Sequence, residues 1–348
     1  MRSTRQNLLG QGQRAPLPGD GTTALTERRG RRTWLPSEPP EWTAALGGAV
    51  IVAIVLSLVT DSFLTPVNLA NVLAQTAVLT ILATGQVFVL MCAGIDLSVS
   101  ATMALAGTML GMLTVSMGVP VPLAVLAVIL VGVLVGLVNG TLVARFGLPA
   151  FIVTLGGLLF WRGLALQMVG GINATGLPEF VVWLGQGRVW GVPVPAIIAL
   201  TVVVISWLVL TRTRFGVGLK AIGGSVNAAE RSGVPVLRYR LLAYVSCSVL
   251  CAIGGVVLVG RLNSAGGSLG LGLELMVIAA AAIGGVSLFG GSGSPWGAFF
   301  GAILIGLIQN GLNLLGTSAF IQQMAAGVIL VVAVAVDQAR RRLVKRWA

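Results

Sequence analysis

The sequence contains no histidine. That removes the usual protein metal ligand and the side chain that most readily carries a proton near neutral pH. Cysteine is almost missing: Cys92, Cys247 and Cys251 all sit in apolar runs, with Cys247 and Cys251 one helical turn apart. No metal or disulfide spacing joins them, and they read as small buried apolar side chains. Charge is scarce, at 9% of residues, where a soluble domain carries about 25%. So little charge cannot cover a water-facing surface on 348 residues, and the surrounding medium must be lipid. Also missing are a GK[ST] phosphate loop, HExxH, CxxC and any nucleophile–base pair. No catalytic and no metal-binding residue is assigned, and the chain has no ATP-binding motif of its own.

What the chain does have is apolar length. Hydrophobic residues make up 56%, the mean hydropathy is +0.97, and the 48 glycines suit close approach of membrane helices. A span needs about 20 apolar residues. Ten are expected, near Ala44–Val59, Leu69–Met91, Leu97–Met117, Val121–Val143, Phe151–Val169, Val194–Leu210, Leu241–Val259, Leu275–Leu288, Trp296–Leu315 and Phe320–Val336. The eighth is short and glycine-flanked, as a broken or re-entrant segment would be. The expected fold is an all-α integral membrane protein of about ten transmembrane helices.

The net charge of +12 lies in three blocks. Residues 1–42, rich in Arg, Gly, Pro, Ser and Thr, read as a disordered basic N-tail. Residues 338–348 form a basic C-tail with Arg340, Arg341, Arg342, Lys345 and Arg346, and residues 43–337 form the membrane domain. By the positive-inside rule both tails are cytoplasmic, so the span count is even. Ten spans meet that condition and leave Asp61, Glu179, Arg188, Arg261 and Glu274 outside. Nothing aromatic is interleaved with a structured basic surface, so nucleic acid is not an expected partner.

The third block is the cytoplasmic loop 211–240, with Arg212, Arg214, Lys220, Arg231, Arg238 and Arg240 against Glu230 alone. Its centre, Ala221–Gly233, reads as one short helix capped by Asn227 and stopped by Gly233 and Pro235. Either a second protein grips this helix, or it is a plain positive loop that fixes topology.

A weak internal echo suggests an inverted repeat of spans 2–5 in spans 7–10. Asn139-Gly140 and Ala150-Phe151-Ile152 echo Asn310-Gly311 and Ala319-Phe320-Ile321, and Gly94–Ser98 echoes Gly285–Leu288. Inverted repeats are a transporter device, with the pathway at their interface. Ionisable groups at membrane depth point to a protein interior or a water-filled path. Asp96 is such a group, with the alternative that it caps the third span. Arg162 is another, with the alternative that it snorkels to an interface beside Trp161. Among neutral polar residues in spans (Thr84, Gln86, Asn139, Thr154, Gln167, Gln309, Asn310, Asn313), each either meets a polyhydroxylated solute or bonds helix to helix. The candidate translocation path is Asp96, Asn139, Thr154, Arg162, Asn310 and Asn313.

Several longer motifs occur together: GIDLSV at Gly94–Val99, VNG at Val138–Gly140, LPAFIVTLGGLLFWRGLAL at Leu148–Leu166, TRFGVGLKAIGGSVNAAERSGV at Thr213–Val234, and GLELMVIAAAAIGGVSLFGGSGSPWGAFFGAILIGLIQNGLNLLG at Gly272–Gly316. From about Pro66 to Asp337 the chain resembles the membrane permease subunit of bacterial ABC sugar importers of the ribose/xylose/galactose type. FIVTLxGLLFxRG and GLEL look nearest to xylose-type members. The resemblance implies a pore made with a second permease copy as a homodimer, in the bacterial cytoplasmic (inner) membrane. It implies cytoplasmic ATP-binding subunits that hold ATP and Mg, and an extracytoplasmic sugar-binding protein. It implies that Ala221–Gly233 is the ATPase-coupling helix, with contacts at Gly223, Gly224, Asn227, Ala228, Ala229, Arg231, Ser232 and Gly233. Two positions depart from the family pattern. Cys92-Ala93 precede Gly94 where the family has paired glycines, and Met276 stands where it has an aspartate. An ion-gradient-driven secondary transporter of a small polar solute is the alternative, disfavoured by the scarcity of buried acids.

Overall fold

The computed structural model describes residue 40, residues 42–170 and 173–318, and, in the last helix, 320–325, 327–329, 331–332 and 335. The two predicted basic tails lie outside the described residues, apart from 40 and 42, and the tenth predicted span lies only partly within them.

The helices in chain order are α1 (Thr43–Val59), α2 (Pro66–Met91), α3 (Val99–Gly111, continued by a π turn over Met112–Ser116), α4 (Val121–Ala144), α5 (Ala150–Val169), α6 (Glu179–Gln186), α7 (Val194–Arg212), α8 (Arg214–Gly224), α9 (Val226–Arg231), α10 (Val236–Leu262), α11 (Leu273–Ile283), α12 (Pro295–Leu314) and α13 (Phe320–Ile329). Among the described residues, α2, α3 with its π turn, α4, α5, α7, α10 and α12 are long and apolar enough to cross a membrane. The helices α1, α11 and α13 are apolar but shorter. The ten predicted spans fall on these ten helices, but only seven of them meet the length and apolarity a crossing requires. The eighth span is shorter than predicted. α11 ends at Ile283 because Gly284 and Gly285 follow, the latter at φ 85°. Its 11 residues reach only about half of a roughly 30 Å hydrocarbon core.

The stretches 170–193 and 261–274, which hold the predicted outer residues Glu179, Arg188, Arg261 and Glu274, read from sequence as connecting loops. The structure gives them α6 and short strands β1 (Ala174–Thr175), β2 (Arg188–Val189), β3 (Val192–Pro193) and β4 (Ser264–Ala265). β1 pairs antiparallel with β4, Ala174 opposite Ala265, so the two stretches are tied together; β2 and β3 form a hairpin.

Local chemistry starts the long helices. Thr65 caps α2 and Ser294 caps α12, each followed by a proline at the first helical position, where the missing N–H costs nothing. α2 and α10 form the centre. In α2, 83% of the best apolar window is buried, against 22% in α5, so α2 is core while α5 shows most of its surface. α4 lies flat on α10 along Gly132, Gly136 and Gly140, where an added methyl group would meet Ser248, Val245 and Leu241. This is the small-residue stripe by which apolar helices pack closely.

α2 and α10 share local features of the kind that the expected repeat calls for. α2 and α10, of 26 and 27 residues, each end at a non-glycine residue in the left-handed region, Ala93 (φ 59°) and Asn263 (φ 47°). Each is followed by an irregular segment and then a further apolar helix, α3 or α11. One piece of the predicted echo is corrected here. Gly285–Leu288 follows α11 rather than α10, so the counterpart of residues 92–98 is the 263–272 segment.

Candidate translocation site and coupling surface

Three of the predicted path residues converge on residues 95–98. Gln86 of α2, with its amide turned to satisfy both ends, donates to Asp96 O at 3.2 Å and accepts from Asp96 N at 3.1 Å. The buried Asp96 Oδ1 accepts from Ser98 N at 2.8 Å and from the Ser98 hydroxyl at 2.6 Å. Ser98, not Asp96, holds the N-cap position of α3, so the carboxylate steadies the backbone just before the helix instead of capping it. Asn139 of α4 donates to Ser98 Oγ at 2.9 Å. Thr154 of α5 places its hydroxyl 3.0 Å from Ile95 O and 2.9 Å from Ala150 O. Asp96 Oδ2 and Trp161 Nε1 are buried with no hydrogen-bond partner among the described residues. Gly157 lies against this group. A methyl there would come within 3.2 Å of Asn139 Oδ1 and 3.3 Å of Trp161 Nε1.

Arg162 heads a second cluster. It is only 8% exposed, so it does not snorkel. Nη1 donates to Gly267 O at 2.9 Å and Leu269 O at 2.6 Å, and Nη2 donates to Ser100 Oγ at 3.0 Å. The Ser100 hydroxyl in turn donates to Glu274 Oε2. Glu274, assigned to an external stretch by charge counting, is half-buried in the first turn of α11. The two remaining path candidates lie elsewhere. Asn310 of α12 makes a reciprocal amide pair with Asn68 of α2, at 2.8 and 3.1 Å, a helix-to-helix bond. Asn313 is exposed near the end of α12.

The predicted single helix over Ala221–Gly233 is two helices. α8 runs to Gly224, and Ser225 caps α9 by accepting from Ala228 N at 3.3 Å. Asn227, predicted as the cap, sits inside α9 and is exposed. The break puts a strong cap, serine, immediately after a helix ending in paired glycines. Gly233 stops the pair at φ 78°. Gly224, Asn227, Ala228, Arg231, Ser232 and Gly233 are exposed, whereas Ala229 is buried. Gly223 faces inward. A methyl on it would fall 2.0 Å from Met91 O and 2.2 Å from Gly291 N, two atoms that are themselves hydrogen-bonded at 3.1 Å. The α8–α9 pair therefore rests on the end of α2 and on the 284–294 connection. A cleft of about 600 Å³ opens beside it, lined in part by Arg212, Arg214 and Ser232.

The family model for the permease component of branched-chain amino acid transport systems matches residues 68–334. A ribose import permease of Bacillus subtilis is 39% identical over 293 residues, covering 84% of this chain and 91% of its own length. A ribose import permease of Escherichia coli is 37% identical over 316 residues, covering 90% and 98%. The xylose transport system permease of Escherichia coli is 34% identical over 358 residues, covering 84% and 91%. The chain belongs to the permease family of ABC sugar importers. No solved structure matches it.

Sequence reasoning missed several of the permease's polar contacts. Ser98, Trp161 and Glu274 lie within the quoted motifs and Gln86 among the polar span residues without being named as path candidates, Ser100 was not noticed, and only the packing of α2, α3, α5 and α11 brings them to the candidates. The two departures from the family pattern have definite places. Ala93 occupies a left-handed backbone position, the kind glycine adopts freely. Met276 is buried in the core cluster around α2 and α10, a site suited to an apolar side chain.

Proposed function

We propose that this permease forms, with a second copy of itself, the translocation pathway of an ATP-driven monosaccharide importer in the bacterial inner membrane. Ten crossings put both termini and α8–α9 in the cytoplasm. Cytoplasmic subunits bind ATP and Mg, and an extracytoplasmic sugar-binding protein delivers a pentose or hexose of the class that the names of the ribose and xylose relatives indicate. The basic tails 1–42 and 338–348 flank the membrane domain on the cytoplasmic side.

The observation that carries the reading is the seating of Gly223 against Met91 and Gly291. A partner that grips exposed Asn227, Ala228, Arg231 and Ser232 and shifts α9 pushes directly on the end of α2 and on the α11–α12 connection. α2 holds Asp96 of the Asp96–Ser98–Asn139–Thr154 cluster through Gln86, and the connection continues from the end of α11 opposite Glu274. The path runs by these groups and Arg162, where amides and hydroxyls suit a neutral polyol without the desolvation cost of charge. The exposed side of α5, with Gly156 and Gly163 facing open space, accommodates close contact with the second copy.

The test is uptake by vesicles holding the permease, its ATPase and its binding protein. Ala228→Pro removes the N–H that Ser225 caps, and Arg231→Glu reverses the exposed charge. Both are expected to abolish ATP-dependent uptake while the permease stays in the membrane. Wild-type uptake by both variants, or uphill accumulation by the permease alone, would overturn the reading.

A further inference from the structure

The β2–β3 hairpin turns on Trp190 and Gly191, both in the left-handed region at φ 50° and 83°. A two-residue turn of this kind favours Asn-Gly or Asp-Gly, because asparagine and aspartate tolerate positive φ. Tryptophan there is strained, and the strain is not offset by packing. Trp190 is 99% exposed, so its ring rests on none of the described residues. The neighbouring helix shows the same outward bias. α6 turns Val181 and Gly185 inward, where Gly185 crosses α10 at Gly260 and Arg261. Its outer side carries Phe180 and Trp183, 56% and 43% exposed, with their rings stacked 6.0 Å apart. Gly187 alone separates α6 from β2.

α7 fixes where these rings lie. It is long and apolar enough to cross a membrane; the hairpin stands at its first residue, and α8 follows its last. The hairpin and α8–α9 therefore belong to opposite membrane faces. Val194 N donates to Gly187 O at 2.9 Å, so the base of the hairpin closes on the start of α7, and β3 packs against both α2 and α7. Three residues separate Trp190 from Val194, which keeps its Cα within about 14 Å of the crossing helix. Exposed apolar side chains continue from Val192 of the hairpin to Ile197 and Leu200 of α7. The hairpin's one charged residue, Arg188, is positive, the sign that suits lipid phosphates. A ring with an apolar body and a polar N–H is at home at headgroup depth, where tryptophan is enriched. We propose that Trp190 and the Phe180–Trp183 pair form an interfacial anchor, seated in the phospholipid headgroup layer of the leaflet opposite α8–α9. Because α6 is locked onto the end of α10, the anchor sets the depth of that end in the bilayer. It requires only that α7 crosses the membrane, and so stands whether or not ATP drives the permease.

The experiment uses the full-length permease in phosphatidylcholine nanodiscs and reads tryptophan fluorescence. The chain has eight tryptophans, so the Trp190 signal is the wild-type spectrum minus that of Trp190→Phe. Trp190→Asn, which makes the favoured Asn-Gly turn, supplies the same subtraction if the phenylalanine variant is unstable. Phosphatidylcholine spin-labelled at the headgroup is expected to quench the Trp190 signal about twofold or more, and a label at the acyl-chain end much less. Trp183→Phe gives the Trp183 signal in the same way, with the same expectation. Aqueous iodide should quench Trp190 no more than about half as strongly as it quenches free tryptophan. Absence of quenching by the headgroup label overturns the proposal. Strong iodide quenching would then place the tip in water, and its relief by an added extracytoplasmic sugar-binding protein would assign the rings to that protein instead. A signal that neither quencher reaches would likewise overturn the proposal and assign the rings to a contact with a second copy of the chain.

Discussion

Ser100 in α3 donates its hydroxyl proton to Glu274 in α11, and each is the second residue of its helix. The helices α3 and α11 thus meet first turn to first turn. Both ends carry the positive pole of a helix dipole, and Arg162 adds a guanidinium through Ser100. Glu274 is the acid in contact with this concentration of positive charge. A half-buried charged network of this kind is costly to break on one side.

Arg162→Met should therefore destabilise the permease by roughly 3 kcal/mol, since Gly267 O, Leu269 O and Ser100 lose their donor. Glu274→Gln should cost roughly 1–3 kcal/mol by leaving the guanidinium without its counter-charge. Denaturation of the two single variants and the double variant forms a cycle with an expected coupling of about 1–2 kcal/mol. Strict additivity would show that Arg162 and Glu274 do not act as one unit.

Much of this was legible beforehand, and the failures have particular causes. Apolar runs located the long helices because lipid demands them, and Asp96 and Arg162 stood out because charge at membrane depth is rare. Asn227 was taken as the cap because nothing in the sequence says where α8 stops. Once α8 runs to Gly224, Ser225 is the residue placed to cap. Counting charges placed Glu274 only by side of the membrane and treated it as loop, whereas it opens α11 and meets Ser100. Gln86 looks like an ordinary member of its span, and only tertiary packing sets it on the Asp96 backbone.

Ala93 sits at φ 59°, where an L side chain costs roughly 1–2 kcal/mol. Glycine relieves that strain but gives back about 0.5–1 kcal/mol of unfolded-chain entropy. Ala93→Gly should thus stabilise the permease by about 0.5–1 kcal/mol, and Ala93→Val, β-branched at positive φ, should lower its stability. Chemical denaturation of the purified protein reads both. A destabilising glycine would mean that the Ala93 methyl, packed near Gly290, is worth more than the strain it carries.

Gly223 and Gly224 are neighbours with opposite surroundings. A methyl at Gly223 collides with Met91 O and Gly291 N, whereas one at Gly224 meets nothing within 4 Å. Gly223→Ala should cost about 1–3 kcal/mol, as overpacking does, and should reduce ATP-driven uptake by forcing α8 off the end of α2. Gly224→Ala should leave stability unchanged or raise it by up to about 1 kcal/mol. Equal effects at the two positions in a denaturation series would contradict the seating on which the proposed coupling depends.

Asn310 tests packing against passage. Its amide and that of Asn68 satisfy one another, and Asn68 also donates to Phe63 O at 3.0 Å. Asn310→Leu strands the Asn68 amide in a buried site and should cost roughly 1–3 kcal/mol. Replacing both by leucine removes the stranded group, so the double variant should recover most of that loss and take up sugar at near the wild-type rate. A double variant that regains stability yet fails in uptake would instead place Asn310 on the path of the solute. The two outcomes separate because stability reports the α2–α12 pair, whereas uptake responds to any group the sugar must pass.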